Sequence, residues 1–186
     1  MCIRDSRHPQ NVTTLQYSED ARTLTFLSGQ DRPVPAVVFT DHVRLYDPDT
    51  GRRHGAPIPV PQWTTTLALG AIDGTEVLAI AESGGIQLRV IATGAPFAPT
   101  VPTPSVPRWL AFARIDEREV ILTSHFATVR VWDPRTGRLV SELRFGKAVA
   151  DVAALSMPDG SLLVAVGGPG VAVTELHYDP FVPDRP

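Results

Sequence analysis

Asp73, Asp116 and Asp159 recur at a spacing of 43 residues, each closing one short apolar segment and opening the next. A looser fourth copy begins near Asp31, one residue out of step. A period in the forties describes an array of small equivalent units. A unit of that size cannot bury its apolar surface alone and must stack on a neighbour. The chain has 186 residues, 43% of them hydrophobic and 20% charged, which suits a folded domain with a sizeable core. Its formal net charge of −3 gives no electrostatic reason to expect a nucleic-acid partner or an anionic membrane. Apolar runs such as 162–166 have the length of a strand, far short of a membrane span. Cys2 is the only cysteine, so no internal disulfide can form.

One unit is clearest from residue 106 to residue 147. An apolar segment over 109–115 ends at Asp116-Glu117; a second runs over 119–123; a third, 128–132, is closed by Asp133-Pro-Arg-Thr-Gly137; a fourth covers 138–145. The spacing predicts four strands joined by tight turns, with no stretch of helical periodicity long enough for a crossover. The second-strand runs 36–39, 77–80, 120–122 and 162–166 are apolar at successive positions. A strand without alternation is covered on both faces, as in sheets stacked face to face around an axis.

The turns repeat their chemistry. Asp73-Gly74 and Asp159-Gly160 are hairpin dipeptides, because glycine reaches positive φ without strain and aspartate bonds the turn backbone. The segments 47–51 and 133–137 are longer versions of one device, with proline early and glycine late. The middle unit, 91–94, lacks the aspartate and proline and reads as a shorter turn. The fourth-strand places are rich in proline, at 57–61 and through 96–107. Proline removes a ladder donor, so these segments are expected to be outermost edge strands, protected from pairing with other chains. A polyproline ligand or linker over 96–107 is the rival reading.

The run Thr128-Val-Arg-Val-Trp132-Asp133, followed by Thr136-Gly137, resembles the signature of the WD-repeat β-propeller family. Val43-Arg-Leu-Tyr46-Asp47 with Thr50-Gly51 is a second copy, and Tyr178-Asp179-Pro180 a displaced third. The likeness extends over residues 9–178 in period and pattern. It implies an all-β fold of about four blades of four antiparallel strands, forming a partial propeller or a small closed ring. The residues that carry the repeat are Tyr46, Asp47, Gly51, Asp73, Asp116, Trp132, Asp133, Gly137 and Asp159. Tyr46 and Trp132 are expected to pack between blades. No Gly-His dipeptide precedes the repeats, and the aspartate usual in the turn before the third strand is missing at 124–127 and at 83–85. The family's buried hydrogen-bonded tetrad is therefore not carried over, and the blades are expected to rest more on apolar packing. Residues 1–8 read as a disordered leader or a cloning or gene-model scar, and 179–186 as a tail. A strand near 9–16 could complete the last blade of a four-blade ring, but the chain is expected to be a piece of a six- to eight-blade ring and part of a larger protein, with apolar sheet faces exposed at both ends and prone to self-association.

No catalytic, cofactor-binding or metal-binding set emerges. The histidines His8, His42, His54, His125 and His177 lack metal spacing, and His42 and His125 read as solvated turn residues. The glycine-rich 167–170 lacks the following helix of a phosphate cradle. Asp116, Glu117 and Glu119 read as a solvated hairpin tip. Arg44, Arg89 and Arg130 are assigned one third-strand place, their stems covering a neighbouring blade. The function expected is a non-enzymatic scaffold that binds proteins, through an unidentified partner-binding surface, with no nucleic acid, membrane or cofactor. The resemblance implies the same, and the composition looks like that of a high-GC bacterial protein, with a cytoplasmic setting. The alternative is a propeller enzyme or small-molecule binder with its site in the central channel. The first-strand segments 67–69, 111–113 and 153–155 offer no charged residue for one.

Overall fold

The computed structural model describes residues 23–28, 33–62, 64 and 66–177. The copy near Asp31, the segments 1–8, 9–16 and 179–186, and the Tyr178 signature lie outside these. All regular structure among the described residues is β, in four antiparallel sheets. The first holds β1 (Thr23–Ser28), β2 (Pro33–Val38), β3 (His42–Tyr46) and β4 (Arg53–Pro59); the second holds β5 (Leu67–Ile72), β6 (Thr75–Glu82) and β7 (Gly85–Val90). The third holds β8 (Trp109–Ile115), β9 (Arg118–His125), β10 (Thr128–Trp132) and β11 (Leu139–Arg144); the fourth holds β12 (Asp151–Ser156), β13 (Leu162–Gly167) and β14 (Val171–Leu176).

The sheets stand side by side as blades. Their first strands form one row, β1 beside β5, β5 beside β8 and β8 beside β12, and the sheets do not close into a ring. Three apolar clusters fill the three junctions. Leu45 and Ile58 meet Leu78 and Ile80 in the first, Ala79 and Leu88 meet Leu110 and Ile121 in the second, and Leu122 and Val131 meet Leu162 and Val164 in the third. Position in the arc is written into the burial of the second strands. In the inner blades β6 is buried from Val77 to Ala81 and β9 from Val120 to His125, whereas β2 and β13 alternate. An end blade has a neighbour on one side only.

The hairpins show why the aspartates recur. Asp73 and Gly74 have φ of 50° and 75°, and Asp116 and Glu117 have φ of 47° and 62°, the left-handed pair that fits the twist of adjacent strands. The Asp159 turn is one residue out of step: Met157 N–H donates to Ser161 O, and the Asp159 carboxylate accepts from the Ser161 amide and hydroxyl. The longer turns follow one plan. Gly51, Gly94 and Gly137, each at positive φ, donate to the carbonyls of Asp47, Val90 and Asp133. The 91–94 turn is therefore not shortened. It keeps the backbone bond and loses the proline and the aspartate side chain, which in the other two accepts from turn amides and a threonine hydroxyl.

The proline-rich segment after β7 departs from expectation. It makes two isolated bridges, Arg89 to Pro96 and Ile86 to Val101, instead of an edge strand. Five prolines between 96 and 107 withhold the amide donors that a continuous ladder needs. The arginines also need correction. Arg44, Gln87 and Arg130 lie opposite Val37, Ile80 and Thr123, so they share one place; Arg89, opposite Leu78, takes the place of Trp132 opposite Ile121.

Close packing at the hub is tested by Gly70 in β5, where an added Cβ would lie 2.2 Å from the Phe112 ring of the next blade. The substitution Gly70→Ala is expected to lower the unfolding free energy by about 1–3 kcal/mol, because the ring has to leave its well-packed position. Urea unfolding followed by tryptophan fluorescence measures it; an unchanged midpoint would show that the ring yields freely.

Candidate functional site

The antiparallel order sends alternate turns to opposite rims. One rim carries the Asp73, Asp116 and Asp159 hairpins with the Asp47–Gly51 and Asp133–Gly137 turns, so most of the repeat-signature residues gather there. Contacts on this rim tie blades together. Arg135, from the Asp133 turn, reaches Asp73 of the preceding blade at 2.5 Å and Glu119 of its own at 2.9 Å. The guanidinium bonded to Asp73 holds that carboxyl below its ordinary range, and the Arg135 pKa is raised in return. Asp116 N–H donates to Gly160 O of the fourth blade at 2.8 Å. Glu119, with its side chain 13% exposed, is not part of a solvated tip.

Between the blades lies the group that sequence reasoning missed. Trp132, buried in the second junction, donates its Nε1–H to the Thr123 hydroxyl at 2.9 Å. Thr123 Oγ1 lies 3.1 Å from His125 Nε2, and Ser105 Oγ lies 3.1 Å from His125 Nδ1. If Thr123 accepts from the indole, its own proton is free for Nε2, which leaves Nδ1–H to donate to Ser105. That tautomer is neutral. Burial accordingly pushes the His125 pKa below the usual imidazole value, with Arg130 adding to the effect. His125 is thus a buried strand residue and not a solvated turn, because β9 runs through it. In this blade a buried polar chain stands beside the apolar packing on which the blades are expected to rest.

The same places hold different chemistry in the other blades. Phe39, Glu82 and His125 are one position at 43-residue steps, and Tyr46 and Arg89 stand where Trp132 does. In the second blade Arg89 donates to Gln87 and Gln87 to Glu82, at 2.7 and 2.5 Å. In the first, Phe39 stacks on His42 with centroids 4.4 Å apart, and Arg44 lies over the Phe39 ring. Asp41 bonds His42 at 2.7 Å, which holds the Asp41 carboxyl below its ordinary range. In the fourth blade the Trp132–Asp133 place falls on Thr174-Glu175, opposite Val164 and Leu163. The clue available in the sequence was the polar run Thr123-Ser124-His125 at the end of an apolar strand. A buried indole N–H nearby needs an acceptor.

The second rim carries the turns between second and third strands and the links between blades. Phe126 is 68% exposed there, next to His125, and Val106 is exposed beside Ser105. An open cavity of about 300 Å³ lies between residues 145–149 and 166–172 of the same rim. Among the described residues no three His, Cys, Asp or Glu side chains gather as a metal site, and no helix is long and apolar enough to cross a membrane.

Comparison with solved structures decides the architecture. The fold is that of a partial β-propeller. The computationally designed protein Ika4 superposes with a TM-score of 0.62 at 17% identity, over 92% of this chain and 100% of that one. Hsv2 of Kluyveromyces lactis, a yeast β-propeller, gives 0.57 at 17% identity over 89% of this chain. The designed propeller Ika8 gives 0.55 at 19% identity over 82%. The propeller arc spans only about half the length of the latter two, 52% and 45%. No family model and no curated protein matches the sequence.

Two measurements test the buried chain. Thr123→Val strands the Trp132 indole N–H and is expected to cost about 1–3 kcal/mol of stability, read from urea midpoints. Because the folded His125 pKa is lowered, its contribution is complete above the unfolded value near 6.5 and is lost as pH falls through it toward the folded value. Wild type should therefore lose stability between pH 7.5 and 5.5, with Arg130 and Glu142 the charges nearest in effect. His125→Gln should lose less over that interval; equal losses would show that His125 does not titrate with unfolding.

Proposed function

We propose that this chain is a non-enzymatic, WD-repeat-like scaffold that binds other proteins in the cytoplasm through loops of the second rim. The observation that carries the reading is the use made of its polar side chains. Trp132, Thr123, His125 and Ser105 bond one another inside a blade junction. Arg130 bonds Glu142, and Arg135 bonds Asp73 and Glu119. The groups best suited to chemistry are engaged in holding the blades. Among the side chains they leave outward on the second rim are two large apolar ones, Phe126 and Val106, beside the network that fixes their strands. An exposed aromatic on a rigid support is a usual anchor for a protein partner. The Trp132-Asp133 turn supports the kinship with WD repeats, since its aspartate and Thr136 make the turn bonds described above.

The test compares wild type with Phe126→Ser/Val106→Ser in affinity purification from the source cell, with circular dichroism to establish equal folding. The scaffold reading expects a small, saturable set of bound proteins that the double variant loses by about tenfold or more. Native mass spectrometry supplies the opposing outcome: stoichiometric retention of a metal or small molecule, undisturbed by the rim variant, would replace the scaffold with a ligand-binding propeller.

A further inference from the structure

The period that identifies the blades also identifies, at each end of the arc, a blade face that no other described blade covers. Val43, Ile86 and Val129 are one third-strand position, and Leu45, Leu88 and Val131 another. All six are buried, and each pair is covered by the blade that follows. In the fourth blade the equivalent pair is Val171 and Val173, opposite Gly167 and Ala165 as Val129 and Val131 are opposite Ser124 and Leu122. Their exposures are 81% and 60%, and Leu155 on the same face is 61% exposed. The other end of the arc mirrors this. Pro35 and Val37 are half-buried, while their equivalents Leu78, Ile80, Ile121, Thr123, Val164 and Val166 are buried. Each end is one half of a junction that the chain builds three times internally.

We propose that the outer face of β12–β14 docks on the outer face of β2–β4 of a second copy, so that two chains joined head to tail complete one propeller. Three observations select this occupant. The head face is the kind of surface that covers a tail face at every internal junction, and each copy carries one of each. The arc spans about half the length of two propellers it resembles, which is the length that one further copy would add. The charges are complementary: the tail face carries Asp151 and Glu175, the head face Arg44 and Arg53. A twofold rotation about the propeller axis repeats the same junction twice and leaves no free end.

Light scattering on the 186-residue chain, coupled to size exclusion, should give twice the monomer mass of 20.1 kDa. A monomer, which would mean that the face is covered from within its own chain, overturns the proposal, and so does an open series of larger species. Val173→Glu spoils the tail and Val37→Glu the head; each should weaken the dimer about 100-fold or more, by burying an unpaired charge. Mixing the two variants should restore a two-chain species, since one intact head then meets one intact tail. A dimer that survives Val37→Glu but not Val173→Glu would show tail-to-tail pairing and overturn the head-to-tail arrangement. Circular dichroism verifies folding, and Leu155→Lys replaces Val173→Glu if that variant unfolds.

Discussion

A sheet with two apolar faces has to be covered twice, and that requirement organises this molecule. No single blade can satisfy it, because its three or four short strands present branched side chains to both sides and have no helix to lay over either. The solution is a row of blades in which every junction is filled from both directions. Leu78 and Ile80 point one way while Val77 and Ala79 point the other, and one strand serves two cores. The inner strands consequently lose all polar alternation, and the end blades regain it.

Polar groups within such a stack have to be satisfied inside a junction or carried to a rim. Blade three encloses a tryptophan, a threonine, a histidine and a serine in one hydrogen-bonded chain; blade two runs Arg89, Gln87 and Glu82 through corresponding places; blade one substitutes a stack of Phe39 on His42. The backbone positions are constant and the chemistry is not. The two junctions that hold the groups of blades two and three thereby gain distinct identities, which discourages a blade from packing against the wrong neighbour.

The architecture was legible from sequence because it depends on local devices that repeat: aspartate-glycine hairpins, glycine at the end of the longer turns, and uninterrupted apolar second strands. The polar chain was not legible, because its members come from a linker, a second strand and a third strand, up to 27 residues apart between Ser105 and Trp132, and no other blade repeats them. The arginine register failed for a related reason. Spacing from the degenerate 91–94 turn placed Arg89 two residues from where strand pairing puts it. The proline-rich segment was placed correctly beside β7, but its missing amides reduce it to isolated bridges.

The hairpin between β12 and β13 holds one residue more than the internal period allows. Ala154 therefore faces inward at the place that Phe112 occupies one blade earlier, although 42 positions separate them and not 43. Turns of this kind let an array change length without rotating any side chain to the wrong side of its sheet. Evolutionary insertions collect where they are silent to packing, and a fixed ruler laid along the sequence drifts out of phase just where the fold itself does not.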